Sequence, residues 1–425
     1  MEHIVEEVKL KNGATGLLIH IPAATVMNFR FAFKAGHIFA KDSNIYEVSH
    51  LMEHMAFGQN KEFPDEQAYE AEFTRNGAYH NAWTSDKLIV YEAECADFEW
   101  ERILKLQELT IAQPIFNEEE LKSEKSNVRS ELTGYQNDYS RLIWPKLQQS
   151  LGEPVLTYAE RLKTISNIEL SDIQEHHKRT HVAKNMQFII AGNLKGRKSK
   201  IVEMLENWHL NKGKTSVADS IIRKATDPIL IRRKDASNLS FGFIFHTNRL
   251  FDLTDQYAIG CLNHILNGTM NSRIFGQARK RGIVYDTFST TSYDSDGSAW
   301  IFGGEVNAEN AIDLFDLIAI ELGNIVNGSI RYRDIEAAKS YALGRHRMLA
   351  QTADQIGSYY ERDYFTYNEY ENMEKAPEMM RNIKKTTMVR IAREFIESNI
   401  SGLSVVSNID KAFINELWRR IQEIV

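Results

Sequence analysis

Runs of apolar and polar residues divide the chain into predicted strands and helices. Near the start, Asn12 and Gly13 stand between two β-prone runs, and this pair is typical of a tight hairpin turn. Residues 26–36 (VMNFRFAFKAG) alternate in the manner of a half-buried strand. The pattern changes to a helical period over residues 45–57 (IYEVSHLMEHMAF), and Gly58 is of a type that commonly ends a helix. The chain therefore begins with strands and continues into a helix.

The rest of the first half continues to mix the two kinds of element. Asn44 and Glu47 resemble a capping box at the start of the helix. Residues 79–95 return to strand character, and long helical stretches follow through residues 100–151. A strand at residues 186–192 (MQFIIAG) then closes this half of the chain.

The order of elements starts again in the second half, which indicates an internal duplication. Residues 185–194 (NMQFIIAGNL) resemble residues 401–410 (SGLSVVSNID), and both stretches come near the end of their half. Residues 54–58 (HMAFG) likewise resemble residues 264–268 (HILNG). Two such matches in the same order favour duplication over chance.

The duplication predicts an α+β fold of two similar domains, each a mixed, mostly antiparallel sheet with helices packed on one face. The first domain is expected to span residues 1–213 and the second residues 228–425. Residues 214–227 are polar and stand before Pro228, so they are predicted to be the linker. Two halves of about 200 residues each fit the usual domain size.

Composition and charge exclude several classes of partner. The net charge of −7 offers no basic surface for nucleic acid or for an anionic membrane. No stretch approaches the roughly 18–20 apolar residues of a membrane span, and the acidic start lacks the apolar core of a signal peptide. Cys95 and Cys261 are interpreted as two buried free thiols. These features predict a cytoplasmic protein.

Candidate chemistry is concentrated in residues 48–58 (VSHLMEHMAFG). On a helix, His50, Glu53 and His54 lie on neighbouring positions of one face because they are three and four positions apart. Two imidazoles one turn apart can bind zinc at about 2.0–2.1 Å, and a carboxylate beside them can take a proton from an attacking water. The motif alone leaves a second interpretation open, a solvated helix face with two ordinary histidines. A third protein ligand would decide between them.

The duplication also bears on this choice. His50 and Glu53 correspond to Gly260 and Asn263 in the second half, and only the other histidine of the motif recurs, as His264. A shared fold therefore does not require His and Glu at these places. A purely structural role for the first-half residues becomes less attractive.

Glu124 and Glu131 lie seven positions apart, on one face of a predicted helix that opens near Asn117. Together with the histidine motif, this arrangement resembles the inverted-zincin metallopeptidases, the family of pitrilysin, insulysin and the mitochondrial processing peptidase. The resemblance implies Zn²⁺ as cofactor, with Glu131 as the third ligand beside His50 and His54. It also implies that Glu124 orients a ligand and that the motif's glutamate is the general base.

A segment of the first half resembles the substrate-binding strand of the same family. Residues 76–91 (NGAYHNAWTSDKLIVY) match the family's N-A-x-T-S pattern, which forms an edge strand beside the zinc. In relatives an extended substrate pairs with that edge. The resemblance implies that Asn81 hydrogen-bonds the peptide and that Ala82 and Trp83 beside it line the substrate site. For Trp83 a packing role is the alternative.

A segment of the second half is expected to complete the site. Residues 268–289 (GTMNSRIFGQARKRGIVYDTFS) resemble a family segment in which an arginine and a tyrosine serve the active site from the non-zinc side. Tyr285 takes the place of the tyrosine. The loop is one residue shorter here, so Arg279 is assigned to the arginine and Arg281 is the alternative.

The resemblance implies a zinc-dependent endopeptidase that hydrolyses peptides or unfolded protein segments. Longer relatives enclose a chamber with four such domains, so this chain is expected to form a dimer, homomeric or heteromeric. Arg279 and Tyr285 would then reach the zinc site of the other chain, and the second half would carry no zinc. Two alternatives stay open: a non-catalytic structural or peptide-binding subunit of a heteromeric peptidase, and a dedicated precursor-processing protease.

Overall fold

The computed structural model describes residues 1–424, and these divide into two compact units. Neither unit is contiguous in the chain. The first unit contains residues 1–133, 159–219 and 347–372, and the second contains residues 134–158, 220–346 and those from 373 onward.

A mixed sheet forms the centre of each unit. The strands of the first sheet are β1 (Ile4–Lys9), β2 (Thr15–His20), β3 (Val26–Phe33), β4 (Tyr79–Thr84), β5 (Ile89–Ala96) and β6 (Met186–Gly192), side by side in the order β1-β2-β6-β3-β5-β4. The strands of the second are β7 (Ile229–Arg232), β8 (Leu239–Thr247), β9 (Val284–Asp294), β10 (Gly297–Val306) and β11 (Ile400–Ser407), in the order β7-β11-β8-β10-β9. Neighbouring strands are antiparallel except for β2 with β6 and β7 with β11.

Helices connect the strands in both halves of the chain. In chain order they are α1 (Val48–Ala56), α2 (Glu66–Thr74), α3 (Trp100–Ala112), α4 (Glu118–Gln136), α5 (Tyr139–Leu151), α6 (Tyr158–Thr164), α7 (Leu170–Thr180), α8 (Lys198–Glu206), α9 (Leu253–Asn267), α10 (Phe275–Lys280), α11 (Ala311–Val326), α12 (Tyr332–Met348), α13 (Ala353–Tyr367), α14 (Ala376–Arg381), α15 (Lys385–Ile396) and α16 (Lys411–Gln422). None of the helices within residues 1–424 combines the length and the apolar character needed to cross a membrane.

The predicted fold class, two similar domains with mixed, mostly antiparallel sheets, is confirmed. In the second unit the buried aromatic residues of β8 point to one face of the sheet, where α9, α11, α15 and α16 complete the core. In the first unit α1 and α2 pack on β4, and α3 packs on β5. The opposite face of each sheet is also covered, by one helix from the other half of the sequence. Helix α13 packs on β3 and β6 of the first sheet, and α5 packs on β8 and β11 of the second. Each unit therefore contains one helix, α13 in the first and α5 in the second, from the half of the sequence that forms most of the other unit.

Glycines allow α5 to approach its sheet closely. A Cβ on Gly242 would lie 2.5 Å from the ring of Trp144, and one on Gly402 would lie 2.9 Å from Leu147. Real Cβ atoms do not approach other atoms so closely, so these strand positions need glycine for the helix to seat.

The predicted linker has no regular secondary structure, and its two ends belong to different units, which divide between residues 219 and 220. In the first unit, the backbone N–H of Ser216 donates to Oδ1 of Asn185 at 3.1 Å. In the second unit, the buried Arg223 donates to Glu153 at 2.7 Å. Side-chain contacts thus hold both ends of residues 214–227. The domain boundaries expected from the sequence, residues 1–213 and 228–425, stay a prediction.

Two local predictions are wrong, and one is supported. Asn44 does not cap α1; it lies in a 3₁₀ turn that Asp42 caps, and Glu47 at the start of α1 makes no cap hydrogen bond. Strand β3 is buried on both faces, because α13 covers the face that was expected to meet water. The hairpin turn lies between β1 and β2, and Gly13 there has the positive φ of +99° that favours glycine.

Candidate metal centre

Three side chains of the first unit meet at one point. Helix α1 carries His50 and His54 one turn apart, and α4 carries Glu131. Oε2 of Glu131 lies 3.5 Å from Nε2 of His50 and 3.9 Å from Nε2 of His54. One ligand atom of each residue lies within 4.8 Å of the other two. The three ligands predicted from the sequence are therefore brought together, although 76 residues separate the last histidine from the glutamate.

The other nitrogen of each imidazole faces a carboxylate. Nδ1 of His50 lies 3.0 Å from Glu47, and Nδ1 of His54 lies 2.9 Å from Glu124. An ionised carboxylate only accepts, so each Nδ1 donates its proton, and Nε2 is the ring atom of each histidine that a metal would bind. Such contacts fix the tautomer and the ring orientation of histidine ligands. Glu124, to which the resemblance assigns the orientation of a ligand, thus lies beside His54.

Electrostatics of the ligands follow from these contacts. Burial alone would lower the pKa of His50, but the hydrogen bonds to Glu131 and Glu47 outweigh burial and raise that pKa to about 9. Burial alone would raise the pKa of Glu47, but the hydrogen bonds from His50 and Arg161 hold it well below its usual range. The centre without metal is therefore a set of strongly coupled charges, and a divalent cation would take the place of the proton on the imidazole.

Glu53 lies on α1 next to the two histidines and is buried. The hydroxyl of Thr84 donates to Oε2 of Glu53 at 2.9 Å and orients the carboxylate. Burial raises the pKa of Glu53, although His54 and His50 both act to lower it. A carboxyl group with a raised pKa is better matched to proton transfer near neutral pH than an exposed one.

Three glutamates along one face of α4 hold this helix against α1. Besides Glu124 and Glu131, Glu120 accepts a hydrogen bond from the backbone N–H of Gln59 at 2.8 Å, just past the end of α1. Gly58 makes this approach possible, since a Cβ there would lie only 2.3 Å from Oε1 of Glu120. The spacings of four and seven residues keep the three carboxylates on one side of the helix. This contact fixes the position of α4 along α1, and with it the position of Glu131 relative to the two histidines.

The predicted substrate residues lie on β4, at the edge of the first sheet. Asn81 is exposed, and Ala82 and Trp83 are partly buried. Thr84 at the end of the same strand holds the carboxylate of Glu53, so the edge runs beside the candidate base. An open strand edge of this kind can pair with an extended peptide.

Arg279 and Tyr285 belong to the second unit, whereas the metal ligands all belong to the first. The guanidinium carbon of Arg279 lies 4.5 Å from the ring centre of Tyr285, and the tyrosine is 81% exposed. Both line a groove of about 660 Å³ whose apolar wall includes Trp144 and Phe288. The alternative, Arg281, is exposed and donates to Gln277 instead.

The second unit carries no equivalent of the metal centre among the residues that the structure describes. At the corresponding place the ring of His264 stacks on Tyr341 with 4.0 Å between ring centres. The corresponding Asn263 accepts a hydrogen bond from Trp300 at 2.8 Å. An aromatic stack and a core hydrogen bond thus occupy the site where ligands would be needed.

Four residues that matter for the geometry were not predicted from the sequence: Glu47, Thr84, Glu120 and Arg161. A signal existed for Glu47, because it precedes the first histidine by three positions on the same helical face. No local pattern singles out Arg161, which is distant in the chain and reaches Glu47 only in the folded unit.

The donor set fits zinc. Two imidazole nitrogens and one carboxylate oxygen are the ligand types of catalytic zinc sites, which keep a fourth position open. Atoms bound tetrahedrally at about 2.0–2.1 Å lie roughly 3.3–3.4 Å from one another, and the observed spacings of 3.5 and 3.9 Å are close to this. His50, His54 and Glu131 could therefore hold the ion with small adjustments.

Comparison with known proteins identifies the family. Residues 17–153 match the model of insulinase, peptidase family M16, and residues 167–341 match that of the peptidase M16 inactive domain. The two matched ranges follow one another along the chain and do not overlap. The chain belongs to peptidase family M16.

Relatives and solved structures agree with this assignment. An uncharacterized zinc protease of Rickettsia felis is 25% identical over 420 residues, which cover 95% of this chain and 98% of the relative. The uncharacterized zinc protease YmxG of Bacillus subtilis is 26% identical over 311 residues, 70% of this chain and 73% of that protein. A protease from Helicobacter pylori has the same fold, with a TM-score of 0.85 at 17% identity over 95% of this chain and all of that chain. A peptidase M16 inactive domain from Pseudomonas fluorescens also has this fold, with a TM-score of 0.84 at 17% identity over 96% of this chain and 98% of that chain.

Proposed function

We propose that this chain is a zinc-dependent endopeptidase that hydrolyses peptides or unfolded protein segments. The observation that carries the proposal is the convergence of His50, His54 and Glu131, with the buried Glu53 beside them. The names of the two relatives, both zinc proteases, support the same class of reaction.

The residues divide the chemistry between them. A zinc ion held by the three ligands would supply Lewis-acid chemistry, polarising a peptide carbonyl and activating water. Glu53 would accept the proton of the attacking water at its carboxylate and later donate it to the leaving amine. Thr84 keeps that carboxylate aimed through its 2.9 Å hydrogen bond, and the edge of β4 would align the peptide backbone.

The second unit would contribute Arg279 and Tyr285. The high exposure of Tyr285, with a cation over its ring, supports a role for its hydroxyl in contacts outside its own unit. In the proposal a dimer brings this pair to the zinc site of the other chain, where the hydroxyl stabilises the oxyanion that forms during hydrolysis. An enclosed chamber of this kind would admit peptides and unfolded segments rather than folded proteins.

Peptide cleavage by the purified chain tests the proposal. We expect turnover of an unstructured peptide that stops with a chelator and returns with zinc. Glu53→Gln should bind zinc as the parent does and lose at least a hundredfold in turnover. Glu119→Gln, an equal change at an exposed position of α4, is the matched control and should be fully active. Full activity of Glu53→Gln would refute the assigned base.

A non-catalytic subunit is the alternative that one comparison favours, since the second family model and one structural neighbour are named for the inactive domain. That model matches residues 167–341, however, and includes none of the three ligands or Glu53. Zinc binding without turnover by the chain alone, and turnover after a partner is added, would support this alternative. Cleavage of one precursor and no other peptide would instead indicate a dedicated processing protease.

A further inference from the structure

We propose that Arg161 is a positioning residue for the metal centre, acting on the ligand His50 through the carboxylate of Glu47. The proposal rests on the proposed function in one respect, the identity of the bound metal. The guanidinium of Arg161 meets the carboxylate of Glu47, which in turn meets the imidazole of His50.

The contacts form a short chain from α6 to the metal site. Nη2 of Arg161 donates to Oε2 of Glu47 at 3.0 Å, and Nε donates to Oε1 of the same carboxylate. The same Oε2 accepts from Nδ1 of His50 at 3.0 Å. A planar guanidinium that grips both carboxylate oxygens fixes the plane of the carboxylate as well as its position. The direction of the imidazole follows from that plane.

Burial makes this chain of contacts obligatory. The side chain of Glu47 has no exposed surface, that of His50 is 11% exposed and that of Arg161 is 16% exposed. A buried carboxylate without a cation carries a desolvation penalty of several kcal/mol. In the folded unit the charge of Glu47 is therefore balanced by the guanidinium and the imidazole rather than by water. Loss of Arg161 therefore leaves Glu47 with one donor, free to turn and to take the imidazole with it.

The second histidine is held differently, and this provides an internal comparison. Glu124, the partner of His54, is 17% exposed and accepts from the amide of Asn127 at 3.0 Å. Water can reach this carboxylate, so its orientation depends less on one partner. The geometry therefore assigns to Arg161 an effect on His50 that no single partner of Glu124 has on His54.

Arg161 also connects two segments that are distant in the chain. Helix α6 begins at Tyr158, where the chain returns from the segment 134–158 of the second unit to the first. The guanidinium also lies over the ring of Tyr46, with Cζ 5.8 Å from its centre. The residue thus ties the start of the returning segment to the start of the helix that carries both histidines.

Zinc affinity of the full-length chain, measured by competition with a chromophoric chelator, tests the proposal. We expect Arg161→Met and Glu47→Gln each to weaken zinc binding about 10–100-fold, the usual effect of losing a partner of a metal ligand. Arg161→Lys should recover only part of the affinity, because an ammonium cannot grip both oxygens. The double variant should be no weaker than the weaker single variant, because the arginine acts through the glutamate. Arg75→Met, at an exposed arginine paired with Glu72, is the matched control.

Two further measurements separate positioning from a general loss of structure. The visible absorption of the Co²⁺-substituted protein reports ligand geometry, and Arg161→Met should change its shape and intensity, whereas Arg75→Met should not. Thermal unfolding of the metal-free protein shows whether each variant is folded; if Arg161→Met is not, Arg161→Lys and the isosteric Glu47→Gln provide the comparison.

The outcomes distinguish this proposal from the proposed function. Parental zinc affinity and an unchanged cobalt spectrum in Arg161→Met would overturn the positioning role and leave the endopeptidase untouched. Additive losses in the double variant would also overturn it. A parent chain that binds zinc, responds to the variants as expected and cleaves no peptide would support the positioning role and refute the endopeptidase. A parent chain that binds no zinc would refute both.

Discussion

Arg30 on β3 should be among the most sensitive positions for stability. Its side chain is only 6% exposed and lies among three carboxylates, those of Glu92, Asp354 and Glu361. Two of these acids come from α13, the helix that the second half of the sequence contributes to the first sheet. The arginine therefore connects the sheet to a helix that is more than 300 residues away in the chain.

Arg30→Met keeps much of the side-chain volume and removes the charge. Removal of one partner from a buried ion pair typically costs about 3–5 kcal/mol, because the remaining charge is left uncompensated. Here three carboxylates remain together, and burial already acts to raise the pKa of Glu361 while Arg30 acts to lower it. A domain of about 200 residues loses roughly 2–4 °C of Tm for each kcal/mol, so we expect the thermal transition to fall by roughly 6–20 °C.

Calorimetry and urea unfolding of the metal-free chain measure the loss, with Arg75→Met as the control. Arg75 forms an exposed pair with Glu72, so its replacement should cost less than about 1 kcal/mol. Asp354→Asn added to Arg30→Met should restore part of the stability, because one of the repelling charges is gone. Equal losses for Arg30→Met and Arg75→Met would refute the reasoning that this arginine anchors α13.

Three further predictions concern pH, packing and assembly. His176 and His177 are buried, and burial lowers the pKa of each to about 4. Because both bind protons more readily when unfolded, the free energy of unfolding should decline from about pH 6.5 to pH 4 by up to about 3 kcal/mol for each residue. A flat pH profile in urea unfolding would contradict this. Gly58→Ala, whose Cβ would meet Glu120, should lower the free energy of unfolding by about 1–3 kcal/mol and weaken zinc binding. Gly134→Ala, where the space is open, should leave stability unchanged or raise it. Equal effects of the two variants on Tm would be evidence against the close contact. Under the proposed function, specific activity should fall when the protein is diluted below the dissociation constant of the proposed dimer. A monomer with undiminished activity in sedimentation and peptide assays would disprove the need for a dimer.

The sequence alone indicated the candidate ligands within each helix because helical spacing is a local property, and the resemblance joined Glu131 to the two histidines. His50 and His54 must share a face at a separation of four residues, and Glu124 and Glu131 must do so at seven. The hairpin at Gly13 depends on the conformational freedom of one residue in one turn. The resemblance to the metallopeptidases rests on these local patterns, and the comparisons confirm the family.

Local patterns failed where partners come from a distance. Glu47 was interpreted as a capping residue because its spacing from Asn44 suits one, but the folded unit supplies Arg161 and His50 as stronger partners. Strand β3 reads as half-buried because Asn28 and Arg30 alternate with phenylalanines. Both polar residues are buried, because α13 brings its own polar groups to meet them.

The sequence by itself thus determined the order of elements and the candidate chemistry of each helix, with His50, Glu53 and His54 on one and Glu124 and Glu131 on another, since each set lies within a few turns. Only the tertiary structure decided how that chemistry is held in place. The burial of Glu47, its pairing with Arg161 and the exchange of α5 and α13 between the units all depend on which distant surfaces meet. Periodicity does not encode that information, because a helix of given amphipathicity can cover any sheet of matching shape and charge.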